Sequence, residues 1–599
     1  MRLLFDIETD GLLDTVSKVH CIVARDVDND TEYVWVGDEC YEAWQVFHNA
    51  DVIIGHNIMG FDIPVIEKVL GFQLTELTLG DKTTQISVRD TLVMTRTIWP
   101  DRRDKDFKLF RSGKIPPKMI GSHSLKAWGH RIGEYKGQFG ETTDWAEFSD
   151  EMLQYCRQDV KVNVKLFKRI EALNYSEDAL QLEHDIHQIL LTQERDGFPF
   201  DEQKAQELFI VLNERRLEIE NRLTEQQPPW IEETEFIPKV NNVTRGYVKG
   251  VPFIKKKEIP FNPNSREHIA RMLQENHGWE PKVFTETGLP KVDDKVLSGL
   301  DYPEAVLLSE YLMVQKRISQ LAEGEQAWMK LSKDGVIHGR VNHMGAVTSR
   351  CTHQNPNCAQ IPSVTAPYGE ECRSLFYAPD GWHVMGCDVA GLELRMLGHF
   401  VAKFDDGEYA DIVINGDIHT ANQQAAGLPS RNMAKTFIYG WLYGAGSDKI
   451  GKIVGKGRKE GEALKREFLK NFPAINKLRT AVTKAAKRGY LIALDKRQIP
   501  VRHEHASLNS LLQGSGAIIC KRWVVEFNNL LEEKGYVRNE DYRQVAFVHD
   551  EVQILVKQEL GETIGQLCVE AIRRAGEYYK LRVPLTGEYK LGRNWAETH

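Results

Sequence analysis

"VAFVHDEVQILV", residues 545–556, is an apolar run of the kind that builds a buried strand pair, yet Asp550 and Glu551 stand side by side at its centre. A buried, unpaired carboxylate is disfavoured by several kcal/mol or more. A chain that keeps two of them there neutralises them by protonation, a basic partner or a cation, or turns them to water in a tight turn. Successive strand residues face opposite ways, so both cannot address one metal from a regular strand. Asp550 is the candidate ligand, with Glu551 in a secondary role.

Working outward, "MGCDVAGLELR" places Asp388 at the end of another apolar strand, with Glu393 shortly after it. Between the two carboxylate segments lies "RNMAKTFIYGWLYGAG", in which Arg431, Lys435 and Tyr439 advance four residues at a time. On a helix they stay near one face and offer two cations for phosphate and a ring for a sugar or base. Lys435 can also supply charge or a proton to a leaving pyrophosphate. Standing alone, this segment reads as an amphipathic helix with core aromatics.

A second acidic set opens the chain. "FDIETDG" puts Asp6 and Glu8 two residues apart on a strand, and so on one face. "GHNIMGFDIPV" adds Asp62, and "YCRQDV" sets Tyr155 and Asp159 one helical turn apart. Four carboxylates and a tyrosine suit a two-metal site that activates water and steadies the leaving oxygen of a phosphodiester.

With 599 residues the chain has room for several domains, and 42% hydrophobic with 27% charged residues fits a folded soluble protein. No apolar run approaches the roughly 18 residues of a membrane span, and no signal peptide opens the chain. Nine cysteines without a CxxC pair read as reduced thiols, so a cytosolic enzyme with no membrane partner is expected. The net charge of −9 excludes a surface coated in basic residues but leaves room for a local basic channel.

Residues 1–174 alternate short strands and helices, the pattern of an α/β domain. Residues 175–325 are mainly helical, interrupted over 226–260 by prolines, by the exposed-looking aromatics Trp230, Phe236, Tyr247 and Phe253, and by Lys255, Lys256 and Lys257. That stretch reads as an inserted loop or small β element.

The DxE, NxxxFD and YxxxD series resembles the three motifs of four-carboxylate 3′→5′ exonucleases. The order DxxxxE, RxxxKxxxxYG and VHDE resembles the polymerase motifs of family A, the DNA polymerase I group. Wording such as "NGDIHT", "SLNSLLQGSGAIICK" and "EYLMVQKRISQLAEGEQAW" is similar to the replicative enzymes of T-seven-type phages within it. The resemblance implies an RNase-H-like exonuclease domain (1–174) followed by a right-hand polymerase, in a mixed α/β and α+β fold. Its parts are a thumb (175–325), a first palm segment (326–400), fingers (401–504) and a second palm segment (505–599).

It implies two Mg²⁺ ions per active site, replaceable by Mn²⁺, held by Asp388, Asp550 and the backbone of Val389 in the palm, and by Asp6, Glu8, Asp62 and Asp159 in the exonuclease. Tyr155 orients the attacking water, and His123 with Lys126 either holds the strand or lies on plain helix surface. Arg431, Lys435 and His419 grip the incoming triphosphate. Glu393 and Tyr439 crowd a ribose 2′-OH, Tyr443 stacks near the template base, and Arg350 and Gln513 read the minor groove. His549 lies beside the primer end, and Lys316 and Arg317 contact duplex phosphates. The partners implied are primer-template DNA and dNTPs in a bacterial host's cytoplasm, with a phage helicase-primase and a single-stranded DNA-binding protein as further ones.

T-seven-type enzymes carry a larger thumb insertion that binds host thioredoxin. The shorter 226–260 implies a reduced thumb tip that touches DNA through Lys255 to Lys257, without thioredoxin dependence. Three other functions compete: a single-subunit RNA polymerase, which would not carry the proofreading domain; a stand-alone nuclease, which leaves most of the chain unexplained; and a non-catalytic scaffold, which has no use for two metal sets.

Overall fold

The strand Arg2–Thr9 has apolar residues on both sides, and the computed structural model, which describes residues 1–79, 82–135 and 144–599, buries both. Leu3, Phe5 and Ile7 enter one core with Ile63, Val65 and Ile66, whereas Leu4 enters another with Cys156, Val160 and Phe167. A strand covered on both faces needs helices on both, here Asp62–Leu70 and Asp150–Glu171. By the two-residue period Asp6 and Glu8 follow Leu4 toward the helix Asp150–Glu171. The sheet runs Glu32–Val36, Val19–Asp26, Arg2–Thr9, Val52–Gly55, Ser87–Asp90, with two antiparallel pairings followed by two parallel ones.

The opening run 545–556 is a hairpin. Strand Tyr542–Val548 ends, His549 and Asp550 make a two-residue turn, and strand Glu551–Lys557 returns. His549 takes φ +59°, the left-handed conformation that so tight a reversal demands. The hairpin continues into Trp382–Val389 and Gly587–Gly592 as a four-stranded antiparallel sheet. Its inner residues, including Met385, Cys387, Phe547 and Val552, pack on the helices Ser507–Glu533 and Gly561–Tyr578.

A helical segment follows Val389, and the helix Arg431–Leu442 shows why it forms. Ser430 caps it by accepting a bond from the Met433 amide at 3.3 Å, and Ala434, Phe437, Ile438, Trp441 and Leu442 recur at helical spacing and are buried. Arg431, Lys435 and Tyr443 are left exposed.

Residues 1–198, 338–360 and 378–599 form one compact unit, and 199–337 with 361–377 form a second. The first α/β segment thus shares a unit with the second sheet. The helix Glu177–Asp196, which follows the expected 174/175 boundary, belongs to this unit too, with Leu182, Ile186 and Leu190 buried in the same core as Met385.

In the second unit the 226–260 insertion is a β hairpin, Trp230–Phe236 against Phe253–Ile259. Trp230 is buried rather than exposed, its Nε1 donating to Glu275 at 2.6 Å. Phe236 and Phe253 both pack against Tyr247. The three lysines do not form one basic edge. The register sends Lys255 and Lys257 to one face, with Lys255 Nζ 3.9 Å from the Phe236 ring centre, and Lys256 to the other, ion-paired with Glu233 at 2.9 Å. Arg317 also departs from expectation. The helix Pro303–Ile318 turns it inward with Val314 and Ile318, and its guanidinium donates to the Pro367 carbonyl at 3.2 Å and to Gln320 at 3.1 Å. Only Lys316 of that pair is exposed.

Candidate active sites

The hairpin turn, the end of strand Trp382–Val389 and the helix Arg431–Leu442 meet at a cavity of about 490 Å³. Of the residues singled out in the sequence, it gathers Arg350, Asp388, Val389, Glu393, Tyr439, Tyr443, Gln513, His549 and Asp550. The Val389 amide donates to the Asp550 carbonyl at 3.1 Å, which sets the two carboxylate-bearing segments against each other. Glu551 lies across from Asp388 in register and is not among the residues that line the cavity. Its carboxylate accepts from Gln553 at 2.5 Å and Trp595 at 2.8 Å, and His599 Nδ1 lies 3.2 Å away.

Burial, then Glu393, Glu551 and Asp388, push the Asp550 carboxyl up to about 6. Asp388 is raised by burial, then by Glu551 and Glu588. Two carboxylates whose proton affinities are both raised by burial and by neighbouring acids form a site that favours cations, and an all-oxygen donor set suits a hard divalent ion. The residues present therefore fit a metal pair.

On the helix, Tyr439 and Tyr443 lie one turn apart, ring centres 6.5 Å from each other. Tyr443, not Tyr439, bonds Glu393, its hydroxyl donating at 2.5 Å. The extra turn carries Tyr443 to the carboxylate and leaves Tyr439 beside His419, ring centres 6.2 Å apart. Arg431, Lys435 and His419 lie outside the cavity lining. Arg431 Nε donates to Asp417 at 2.7 Å, and Asp417 also caps the helix Ile418–Ala426 through the His419 and Thr420 amides. The sequence reading missed Asp417, although an Asp before a helical run is a recognisable N-cap signal. His419 is held below its ordinary value by burial, then by Arg431 and Lys435.

In the first α/β segment Glu8 on its strand and Asp62 and Asp159 on their helices are buried, and oxygens of Asp6 and Glu8 lie within 4.8 Å of the Cys156 sulfur. Cys156, which the sequence reading passed over, donates to the Asp6 carbonyl at 3.4 Å. Burial, then Cys21, Asp6 and Glu8, push its thiol well up, so it stays protonated. Tyr155 lies beside Trp145. Asp62 begins its helix after a loop fixed by buried Asp90, whose carboxylate accepts the Asn57 and Met59 amides at 2.8 and 3.2 Å. The Asp90 amide in turn donates to His184 at 2.8 Å. His123 is held neutral by burial, then by Arg96, Arg131 and Arg102.

A family model described as DNA polymerase family A matches residues 252–597. The chain belongs to DNA polymerase family A. It is 40% identical to the DNA-directed DNA polymerase of Enterobacteria phage T3, with all of both chains covered, and 39% identical to that of Escherichia phage T7, with 99% of each covered. It shares its fold with the POL domain of Pol1 from M. smegmatis, solved in complex with a DNA primer-template and dNTP, at TM-score 0.74 and 17% identity, covering 99% of this chain and 96% of that one. The chain is thus a DNA-directed DNA polymerase of a family that uses divalent metal ions. Among the described residues no helix is long and apolar enough to cross a membrane.

Two buried histidines give this family A polymerase a pH-dependent stability. Burial holds His184 and His343 down to about 4, against an ordinary 6.5. Between those values only the unfolded chain takes up the proton, so each contributes stability above pH 6.5 that is lost as pH falls toward 4. That amounts to roughly 2 kcal/mol per histidine between pH 7 and 5. Asp550, with its raised value, works the other way below pH 6 and offsets part of the loss. Calorimetry of the metal-free chain is expected to show a Tm that falls from pH 7 to pH 5, less steeply in His343→Asn.

Proposed function

We propose that the Asp388 and Asp550 cavity extends a DNA primer with deoxynucleotides and that the Asp6 and Glu8 site removes mispaired ends in the 3′→5′ direction, together replicating phage DNA in a bacterial host. The observation that carries the first part is the cavity that gathers Asp388 and Asp550, both raised by burial and neighbouring acids, beside Tyr439 of the Arg431–Leu442 helix. Asp388, Asp550 and the Val389 backbone would hold two Mg²⁺ ions, or Mn²⁺ in their place, and Asp6, Glu8, Asp62 and Asp159 a second pair. Bound ions there supply the charge that lowers the pKa of an attacking hydroxyl and neutralises phosphate.

The chain's own groups do the rest. Arg431 is tethered through Nε, which leaves its terminal nitrogens for phosphate, and Lys435 adds a second cation one turn on. His419 is a neutral donor beside them. Tyr439 and Glu393 bound the space of the sugar, while Tyr443 must leave Glu393 to stack by a template base. Arg350 and Gln513 test the minor groove, whose acceptors are alike in all correct pairs. His549 lies by the primer end, Lys316 by duplex phosphate, and Tyr155 orients the water of the exonuclease.

A primer-template assay with Mg²⁺ tests the reading. Extension with dNTPs, little with rNTPs and shortening without nucleotides are expected; extension with rNTPs as fast as with dNTPs would refute it.

The insertion hairpin sets Glu232, Glu233, Glu235 and Glu258 among its lysines, which gives little attraction for DNA. Extension lengths on a long template are expected to be unchanged by added thioredoxin; a large gain would show that this short insertion still docks it.

A further inference from the structure

Beneath the polymerase cavity lies an ion cluster that no step above uses. Glu183 accepts from Lys521 Nζ at 2.6 Å and Arg497 Nη1 at 2.5 Å through one oxygen, and pairs with His343 Nδ1 at 2.7 Å through the other. Arg497 in turn holds Asp495, Nε to Oδ2 at 2.7 Å. All five side chains are at most 1% exposed. Two acids balance two bases, and His343, neutral at pH 7, serves as a donor. Such a cluster gains little over apolar packing in stability, but its paired side chains fix the positions of the elements that carry them.

Each partner of Glu183 leads to a different part of the cavity. Lys521 lines the cavity and belongs to the helix Ser507–Glu533, two turns on from Gln513. His343 begins the tight loop that presents Arg350. The Cys351 thiol donates to the His343 carbonyl at 3.6 Å, the Ala346 amide to the Arg350 carbonyl at 3.1 Å, and Ser349 takes φ +64°. One buried carboxylate on a third element, the helix Glu177–Asp196, therefore ties the Arg350 loop to the Gln513 helix.

We propose that Glu183, acting through His343 and Lys521, is a positioning residue that sets the spacing of Arg350 and Gln513 and hence the enzyme's rejection of mispaired primer ends. The inference rests on the minor-groove role given to Arg350 and Gln513 above. Side chains that must meet two acceptors at once lose selectivity when their supports move by an ångström, even if they keep their identity.

The test measures the ratio of mismatched to matched primer extension, in full-length protein with Asp6→Ala and Glu8→Ala so that mispaired ends persist. His343→Phe removes the donor to Glu183, and His343→Asn keeps one near the Nδ1 position. The ratio is expected to rise roughly tenfold in the Phe variant and to return to within about twofold of the parent in the Asn variant. Should His343→Phe fail to fold, Glu183→Gln with Lys521→Met removes the ion pair as a neutral unit and is expected to raise the ratio similarly. Arg350→Ala, measured alongside, separates the two layers. If it raises the ratio while the cluster variants leave it unchanged, Glu183 is scaffold only and the inference falls. If Arg350→Ala itself changes nothing, the minor-groove assignment fails and takes the inference with it.

Discussion

Asp550→Asn is expected to lower nucleotide incorporation at least about a thousandfold while leaving degradation of a single strand at the parental rate. The substitution keeps the size of the side chain and the hairpin's backbone, because the bond tying this turn to strand Trp382–Val389 uses the Asp550 carbonyl, not its carboxylate. What is lost is the charge that offsets a cation. The same change relieves the burial of a charge and the repulsion with Glu393, Glu551 and Asp388, which together hold Asp550 at about 6 in the metal-free chain. An aspartate with a raised value is ionised at pH 7 at a cost to the folded state, so the Asn variant is expected to melt at or above the parent's temperature without metal. A variant that melts higher yet incorporates nothing has lost chemistry, not structure. Single-nucleotide incorporation with saturating dNTP checks the rate; retention of even a tenth of the parental rate would remove Asp550 from the catalytic pair.

What could be read in the sequence was what periodicity and adjacency carry. The alternation in Arg2–Thr9 put Asp6 and Glu8 on one face, and the four-residue steps of Arg431, Lys435 and Tyr439 gave one helix face, because each depends only on local geometry. The side-by-side Asp550 and Glu551 announced a turn, since a strand sends neighbours opposite ways, and the hairpin separates them into the cavity and the Gln553, Trp595 and His599 cluster. The misreadings share a cause. Arg317 looked like a surface cation, but its helix phase turns it inward, and a guanidinium can be buried when carbonyls meet it. Lys255 to Lys257 looked like one patch until the hairpin register split them. The Glu183 cluster joins positions more than 150 residues apart, and no short window contains its partners.

Replacing Asp6 and Glu8 together with Ala is expected to abolish single-strand degradation, by roughly a thousandfold or more, and to leave matched primer extension within about twofold of the parent. The two residues sit on the outer half of a strand whose stability comes from Leu3, Leu4, Phe5 and Ile7, each buried in one of two cores. Removing the buried Glu8 carboxylate eases the desolvation that it now bears. The helix Asp150–Glu171 keeps its contact with the strand, because Cys156 donates to the Asp6 main-chain carbonyl, which alanine retains. The thiol supplies an internal check: Asp6 and Glu8 help hold Cys156 protonated, so its value should move toward that of an ordinary buried cysteine in the double variant. Both sites share one compact unit, so loss of extension along with degradation would mean that the acidic strand supports the polymerase cavity as well, and that the two activities are not separable by substitution at this strand.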